Sequence, residues 1–327
     1  MLIAIDHGNK QVKSVHCPPF VSGLQQSSTR PFGRDVLEYQ DYYYTLSARR
    51  IPYQKDKTAD ERYFILTLFA IANEIEQAGV YSDAVLPIEL AVGLPPAHYG
   101  AQNQAFVRYF QREGVTSFTY HGKPYRISIR SVICFPQAYA AAATMLADLM
   151  PVPKALILDI GGFTADYLQL KYGRADLSTC GSLENGVIQL YNRVCSRANA
   201  EYDILLDEGD VDSLLRGDSA GYTPSIVQLA EQQAQDFVRD LFGTLREYQF
   251  DLRTGTVLFM GGGAILLRKQ IEQSGRVGAA LFLDEINANA KGYEDVYKRQ
   301  CLSLLRPHRP QTGAGILHEL PAGSLAD

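Results

Sequence analysis

A short motif that occurs twice constrains the fold of this chain more than any other feature. Near the start, the apolar run Ile3-Ala4-Ile5-Asp6 leads into the polar turn His7-Gly8-Asn9-Lys10. About 150 residues later, Leu156-Ile157-Leu158-Asp159 leads into the turn Gly161-Gly162-Phe163-Thr164. A second strand pattern follows each turn, so each copy predicts a β-hairpin. The recurrence predicts two similar α/β domains, whose equivalent turns can face each other across a cleft where ligands commonly bind.

The rest of the chain has the pattern of alternating strands and helices that is typical of an α/β fold. Further strands are predicted at residues 20–26, 36–39, 41–46, 84–94, 115–120, 125–134, 166–171 and 256–260. Helices are predicted between residues 58 and 79 and at residues 101–113, 138–150, 183–198 and 224–248. The first helix should begin in a capping box formed by Thr58 and Glu61 and should end at Gly79.

Both hairpin turns have the composition of a phosphate-binding loop. Glycine lets backbone amides approach phosphate oxygens, and successive N–H groups form an anion-binding nest. If the turns face each other, Asp6 and Asp159 lie close together, and two bare carboxylates repel unless a cation lies between them. Mg²⁺ is the natural cation, because it prefers oxygen ligands and bridges phosphates. Lys13 can add positive charge, and the glycine turn 261–263, at a strand-to-helix junction, can support a nucleotide base or its α-phosphate.

Each of these features has an ordinary structural interpretation when it is taken alone. A single Asp-x-Gly turn, or a glycine run after a strand, is more often structural than functional, so the order and spacing of the set carry the argument. Asp166 is as compatible with hydrogen bonding at the start of its strand as with a role at a phosphate. The acidic stretch at residues 207–212 predicts a solvated loop, with a weak metal site as the alternative.

Composition limits the partners of the chain. Its 31 Lys and Arg residues against 36 Asp and Glu residues give a net charge of −5, so we expect no direct, specific DNA binding and assign any DNA role to a partner protein. The five cysteines are scattered without a Cys-x-x-Cys pair, which argues against a zinc site or a disulfide framework. No apolar run approaches the roughly 18 residues of a membrane span, and the start lacks a signal-peptide pattern. We therefore expect a cytoplasmic protein without membrane association.

Taken together, the motifs resemble those of the actin/Hsp70/sugar-kinase superfamily of ATPases. The resemblance rests on a phosphate-1 motif at residues 6–13, a connecting motif at 135–141, a phosphate-2 motif at 159–166, an adenosine motif at 260–264 and a second connecting motif at 287–293. It implies an actin-like (ribonuclease H-like) α/β fold in which two similar domains flank a nucleotide cleft. Domain I would comprise residues 1–148 plus 288–327, and domain II residues 149–287.

The same resemblance implies the residues of a Mg²⁺–ATP/ADP site between the two domains. Asp6 and Asp159 would be the metal carboxylates, and with Gln137, which would orient the attacking water, they would form the catalytic set. Nucleotide contacts would come from the glycine turns and their neighbours: Gly8, Asn9, Lys10, Lys13, Gly161, Gly162, Phe163, Thr164, Gly261, Gly262, Gly263 and Ala264. Many relatives carry glutamate where this chain has Gln137. A neutral amide can orient water but cannot accept its proton, so we expect slow hydrolysis.

Within the superfamily, the chain looks most like bacterial ParM-type plasmid-segregation actins. The likeness implies self-association into nucleotide-dependent filaments, coupled to DNA by a small DNA-binding adaptor protein at a centromere-like site. The alternative is a non-polymerising ATPase or a small-molecule kinase of the same superfamily. The tail after Lys298 contains Pro307, Pro310 and Pro321, which break helices, so we do not expect the last ~25 residues to belong to the fold.

Overall fold

The computed structural model describes residues 1–54 and 56–304, which form two β-sheets with helices packed against them. The strands of the first sheet are β1 (Leu2–His7), β2 (Gln11–Ser14), β3 (Phe20–Val21), β4 (Leu24–Ser27), β5 (Val36–Tyr39), β6 (Tyr42–Leu46), β7 (Leu86–Leu94), β8 (Thr116–Tyr120) and β9 (Lys123–Pro136). The strands of the second sheet are β10 (Ala155–Ile160), β11 (Ala165–Lys171), β12 (Arg174–Leu183), β13 (Thr256–Met260) and β14 (Ala279–Phe282). We refer to the parts of the chain that carry these sheets as the first half and the second half.

The helices follow the same division of the chain. They are α1 (Arg62–Ala78), α2 (Pro96–Phe110), α3 (Tyr139–Ala142), α4 (Leu146–Leu149), α5 (Val187–Tyr202), α6 (Glu208–Arg216), α7 (Pro224–Glu247), α8 (Gly261–Leu266), α9 (Arg268–Gln273) and α10 (Ala288–Leu304). A short 3₁₀ segment, Ala143–Met145, lies between α3 and α4.

The two sheets share one strand order, as the repeated motif predicts. The first sheet contains the order β3-β2-β1-β7-β9, and the second sheet has β12-β11-β10-β13-β14. In both, the hairpin pair is antiparallel and the next two pairings are parallel. The strands β8, β5, β6 and β4 extend the first sheet beyond β9. The prediction of two similar α/β units is therefore confirmed.

Helices cover the central strands and close both cores. All six residues of β10 are buried, as expected for a central strand that helices cover on both faces. The helices α5 and α7 pack on this sheet through Val194, Phe237 and Leu241, which share a core with Leu158. In the first half, α1 is buried at every position from 63 to 72, so its apolar face is wider than a single helical stripe.

Two helices cross between the halves. The chain leaves the first sheet after β9, yet Ala141 and Leu149 of α3 and α4 pack in one core with Ile157 of the second sheet. It leaves the second sheet after β14, yet Tyr293 of α10 packs with Ala4 of β1. The helices α3 and α10 touch where they pass, because a Cβ on Gly292 would lie 2.3 Å from the carbonyl oxygen of Ala140. This crossing connects the halves at the base of the cleft.

Four local predictions were wrong in the first half. The predicted strand at 20–26 is split into β3 and β4, which lie at opposite edges of the first sheet. The helix α1 begins at Arg62, and its N-cap Glu61 makes no side-chain capping bond. The Thr58 hydroxyl instead donates to the Asp56 carboxylate at 2.6 Å, so the predicted capping box does not form, although Gly79 ends the helix in a left-handed conformation as expected. The helix α2 begins five residues earlier than predicted, because Pro96 fits the first turn of a helix. The predicted helix at 138–150 is broken into three short pieces.

The acidic stretch at 207–212 is also not the loop that we predicted. Asp207 accepts a hydrogen bond from the backbone N–H of Asp210, and the Asp210 carboxylate accepts one from the N–H of Asp207. This reciprocal capping box begins α6, and acidic side chains are favourable in the first turn of a helix. The prediction for the last ~25 residues concerns 305–327, which lie outside the described residues, as does that part of the proposed domain I.

Candidate functional site

The two hairpin turns meet across the gap between the halves. A Cβ placed on Gly162 would lie only 2.9 Å from the Cβ of Lys10, so the turns are in contact. Hydrogen bonds hold each turn in shape: the Gly161 N–H donates to the carbonyl of Thr164 at 2.8 Å, and the Ser22 hydroxyl donates to the carbonyl of Gly8 at 2.6 Å. The structure thus places the two predicted glycine turns face to face.

Three buried aspartates lie at the base of these turns. Asp6 and Asp159 are 3% and 6% exposed, and each is near the end of the central strand of its half. The ammonium of Lys13 lies 3.5 Å from the Asp6 carboxylate. Burial raises the pKa of Asp159, and burial together with the charge of Asp159 raises the pKa of Asp166 to about 7. Carboxylates desolvated in this way favour a cation or a proton beside them.

The side chain of Asp166 accepts hydrogen bonds on both of its oxygens. The donors are the hydroxyl of Ser182 and, at 3.3 Å, the hydroxyl of Thr164. The hydrogen-bonding alternative for Asp166 is therefore present in the structure. Thr164, which we predicted as a nucleotide contact, directs its hydroxyl towards this carboxylate.

Lys57 is a buried cation in the site that the sequence analysis missed. Its side chain lies under the first turn and donates to the carbonyl of His7. Burial lowers the pKa of Lys57, while the charges of Asp6 and Asp166 oppose that shift. Burial, reinforced by the charge of Lys57, also lowers the pKa of His7 to about 3, so this imidazole is neutral at physiological pH. The segment that precedes α1 has no apolar period, so nothing in the sequence separates Lys57 from an exposed loop lysine.

Gln137, which we predicted to orient the attacking water, lies beside Asp6. Its side-chain Nε2 donates to Oδ1 of Asp6 at 2.8 Å, and its backbone N–H donates to the carbonyl of Leu94 at 2.8 Å. The next residue, Ala138, donates its N–H to Oδ1 of Asn289, whose Nδ2 in turn donates to Oδ2 of Asp159. Buried hydrogen bonds thus connect Gln137 directly to Asp6. They also connect the next residue, Ala138, to Asp159 through the side chain of Asn289.

Steric contacts give the three glycines at the start of α8 different roles. Gly261 has φ +86°, and a Cβ there would lie 2.1 Å from Oδ1 of Asp159. A Cβ on Gly263 would lie 2.6 Å from Cγ2 of Ile160, so this glycine allows α8 to pack on β10. A Cβ on Gly262 would meet nothing within 4 Å. Of the three glycines, Gly262 is therefore the one whose surroundings leave room for a ligand. Ala264, two residues after Gly262, is buried in the core of the second half.

A cavity of about 520 Å³ lies between α6, the end of α8 and α9. Leu215, Ile265 and Leu266 give it apolar walls, and its charged lining includes Arg216 and Lys269, which pair with Asp212 and Glu231, and the acid Glu272. Its volume is within the range of small-molecule pockets.

Side chains of the first half reach across the mouth of the gap. Lys10 donates to the Tyr191 hydroxyl at 2.7 Å and to Asp212 at 3.0 Å. Burial alone would raise the pKa of Asp212, but hydrogen bonds from Tyr191 and its basic neighbours lower it to about 2. The predicted nucleotide contact Lys10 is thus paired with the second half. Two more predicted contacts have protein partners: the Asn9 side chain accepts from the Tyr63 hydroxyl, and the ring of Phe163 stacks on Tyr53 at 4.5 Å.

Two family models match the chain. Residues 4–139 match the N-terminal domain of actin-like proteins, and residues 157–273 match the C-terminal domain of the archaeal MreB-like actin homologues. With the shared strand order of the two sheets, these matches identify the chain as an actin-like protein, which contains one actin-type domain in each half. No curated protein matches it.

Solved structures of similar fold include an archaeal actin homologue and a ParM filament. The archaeal actin homologue Ta0583 superposes with a TM-score of 0.74 at 17% identity, over 91% of this chain and 99% of that one. Its complex with ADP gives a TM-score of 0.73 at 17% identity over the same shares of the two chains. A subunit of a 15-stranded ParM filament from Clostridium botulinum gives 0.68 at 17% identity, over 91% of this chain and 99% of that one. At these identities the likeness is one of fold.

Two features are absent from the described part of the chain. None of its helices is both long and apolar enough to cross a membrane. Within the same residues, no group of three or more His, Cys, Asp or Glu side chains is arranged to hold a metal by itself. The acidic residues at the start of α6 therefore do not form the weak metal site that we considered.

Proposed function

We propose that this protein is an ATPase that binds Mg²⁺-ATP between its two halves and assembles into nucleotide-dependent filaments. The observation that carries the proposal is the contact of the two glycine turns above Asp6 and Asp159. Backbone amides of both turns can bind the phosphates of one nucleotide from opposite sides. A nucleotide bound in this way would hold the halves together, so its state would control the shape of the subunit.

The residues at the base of the turns fit a Mg²⁺ ion. Asp6 and Asp159 are buried oxygen ligands from opposite halves, and burial has raised the pKa of Asp159, so added positive charge would favour its ionised form. Mg²⁺ usually takes only one or two protein carboxylates and completes its shell with water and phosphate oxygens, so a pair of aspartates is enough for its protein ligands. When bound, Mg²⁺ would neutralise charge on the phosphates.

The residues of the chain would supply positioning and electrostatic stabilisation. The amides of Gly8 and Gly162 would bind phosphate oxygens, while the Gly161 N–H keeps its bond to the carbonyl of Thr164, and Lys13 would add positive charge. Gln137 would release its bond to Asp6 and orient the attacking water. Phosphoryl transfer needs positioning and charge neutralisation more than covalent help, so this set is sufficient. The amide of Gln137 cannot accept a proton from water, so we expect hydrolysis to be slow and coupled to filament turnover.

The cavity between α6, α8 and α9 is the place where we expect the adenosine. Its apolar walls can hold a base. The ADP complex of Ta0583, which has the same fold, supports a nucleotide in this family of structures.

The proposal also includes filament formation and DNA segregation. Structures of similar fold include the ParM filament from Clostridium botulinum and the Alp12 filament, which supports self-association. With a net charge of −5, the chain has no general attraction for DNA, so a small DNA-binding adaptor at a centromere-like site would connect the filament to plasmid or other DNA. We place this activity in the bacterial cytoplasm.

Light scattering and phosphate release, recorded together on the purified protein, test the proposal. With ATP and Mg²⁺ we expect scattering to rise, phosphate to follow slowly, and scattering to fall as ADP accumulates. ADP alone should give less polymer. Hydrolysis without scattering or pelleting at any protein concentration would replace the filament with a non-polymerising ATPase. Phosphate transfer to a small molecule, with little release to water, would indicate a kinase.

A further inference from the structure

One side chain connects the two halves of the site through the crossing helices. Asn289 is the second residue of α10 and is 8% exposed. Its Nδ2 donates to Oδ2 of Asp159 at 2.9 Å, and its Oδ1 accepts the backbone N–H of Ala138 at 2.8 Å. Both bonds are buried. A single amide group is therefore attached to the carboxylate that ends β10 and to the turn that begins α3.

That turn has an unusual backbone. Ala138 has φ +59° and ψ −51°, a combination that residues other than glycine rarely adopt. The N–H of Tyr139 donates to the carbonyl of Gln137 at 2.5 Å, which closes a γ-turn around Ala138. The direction of Gln137 depends on this turn, and the bond from Ala138 to Asn289 is a contact that can hold it.

We propose that Asn289 is a positioning residue that sets Asp159 and Gln137 together. Its donor group engages Oδ2 of Asp159, which fixes the carboxylate with Oδ1 towards Gly261 at the start of α8. Its acceptor group holds the turn that aims the Gln137 amide at the Asp6 carboxylate. The inference rests on the proposed ATPase function, in which Asp159 binds the metal and Gln137 orients the attacking water.

The chemistry of the side chain explains why an asparagine fits this position. An amide offers a donor and an acceptor at once, and the two bonds use one of each. Aspartate would keep the acceptor for Ala138 but would lose the donor and place a second negative charge against Asp159. Alanine would lose both bonds. The two substitutions therefore separate the two functions of the side chain.

Asn287 provides a matched control on the same segment. Its Nδ2 donates to the carbonyl of Val15 at 2.8 Å, so it attaches the start of α10 to the first half without a contact to Asp159 or Ala138. Asn287→Ala weakens the docking of α10, as Asn289→Ala does, but leaves the site itself intact. A difference between the two variants then reports the site contacts and not the loosening of the helix.

Amide hydrogen exchange of the nucleotide-free protein tests the turn. We expect Asn289→Ala to speed exchange at Ala138 at least tenfold, and Asn289→Asp and Asn287→Ala to leave it near the wild-type rate. Calorimetry of ADP binding tests the carboxylate. Loss of a residue that orients a metal ligand typically costs 10–100-fold in metal affinity or activity. We therefore expect both Asn289 variants to weaken binding of Mg²⁺-ADP by that amount and to leave ADP binding in EDTA within about twofold of wild type.

Kinetics complete the test of positioning. Asn289→Ala should lower kcat and raise the Mg²⁺ concentration for half-maximal rate, whereas Asn287→Ala should change neither. Wild-type exchange at Ala138 and wild-type Mg²⁺ dependence in Asn289→Ala would overturn the inference. A wild-type protein that binds Mg²⁺-ADP but hydrolyses no ATP would overturn the proposed function alone, because the exchange and calorimetry results would still decide the role of Asn289.

Discussion

Lys13 and Asp166 occupy equivalent positions in the two halves of the molecule. Lys13 is the cross-strand partner of Asp6 in the first hairpin, and Asp166 is the partner of Asp159 in the second. The same register position therefore carries a cation on one side of the cleft and a carboxyl group on the other. In the first half, the lysine lies close to the aspartate and offsets its negative charge. In the second half, two acidic groups lie together, and added positive charge would be needed to favour the ionised form of both.

This asymmetry predicts a pH dependence of the free energy of unfolding that Asp166→Asn should reduce. The pKa of Asp166 is raised from 3.8 to about 7, chiefly by burial. Between pH 3.8 and about pH 7, the folded state keeps a proton on Asp166 that the unfolded state has released. The contribution of Asp166 to the free energy of unfolding therefore falls as the pH rises. We expect the free energy of unfolding of Asp166→Asn to exceed that of wild type by about 1–4 kcal/mol at pH 8. At pH 4 the two values should be nearly equal.

Urea unfolding at several pH values, in EDTA and without nucleotide, measures that difference. Asp83→Asn is the control, since Asp83 is an exposed loop carboxylate and its substitution should leave the profile unchanged. A constant difference between Asp166→Asn and wild type from pH 4 to pH 8 would show that Asp166 does not titrate in this window.

Asp159→Asn should abolish ATP hydrolysis while the fold is kept. The substituted amide can still accept the bond from Asn289, but it no longer carries the charge that we assign to Mg²⁺. We expect Mg²⁺-ATP binding to weaken by roughly 1–3 kcal/mol, the scale of a lost charged contact. Calorimetry and phosphate release check this. Asp176→Asn, at a surface ion pair with Lys171, is the control, and normal turnover in Asp159→Asn would exclude this residue from the site.

Gln137→Ala should separate nucleotide binding from hydrolysis. The substitution removes the bond to Asp6 but no contact that we assign to a phosphate, so nucleotide affinity should stay close to wild type. Hydrolysis should fall about 10²-fold, the usual contribution of a positioned group that activates water. Filaments should form and persist longer, because ADP accumulates more slowly. The exposed Gln104→Ala is the control in parallel scattering and phosphate assays, and unchanged phosphate release in Gln137→Ala would make Gln137 a packing residue.

Two neighbouring glycines should respond differently to alanine. A Cβ at position 263 would overlap Ile160 and Val187, so Gly263→Ala should lower the Tm of the nucleotide-free protein. A Cβ at position 262 has free space, so Gly262→Ala should leave that Tm unchanged and reduce the rise in Tm that Mg²⁺-ADP produces. Thermal unfolding with and without nucleotide measures both. A full nucleotide-induced shift in Gly262→Ala would place the adenosine elsewhere.

Local signals in the sequence were sufficient to predict the two hairpins and their aspartates. A strand of alternating or wholly apolar residues and a glycine turn are set by neighbours in the chain, so Asp6 and Asp159 could be placed at strand ends without a structure. The same holds for Gly79 as a helix end. The capping box at Asp207 was equally local, and it was missed because its acidic residues were interpreted as solvated rather than as partners of backbone amides.

Local signals failed where a competing contact was available. Thr58 has the spacing of a helix cap, yet its hydroxyl bonds to Asp56, and Asp60 pairs with Arg62 at the helix start. The alanine-rich segment after Gln137 has high helix propensity, but the γ-turn at Ala138 and the close approach of Gly292 accompany its division into short pieces. Helix propensity is a weak preference that tertiary contacts override.

The sequence by itself determined which residues end the two central strands, which turns carry glycine, and that the two halves share one plan. Only the tertiary structure decided that Lys57 is buried beneath the first turn, that Lys10 pairs with Asp212 across the cleft, and that Asn289 joins Asp159 to the start of α3. The physical reason is the range of the interactions. A strand or a turn depends on residues a few positions apart, whereas these contacts join groups up to 202 positions apart, whose proximity depends on how the two sheets and their crossing helices pack.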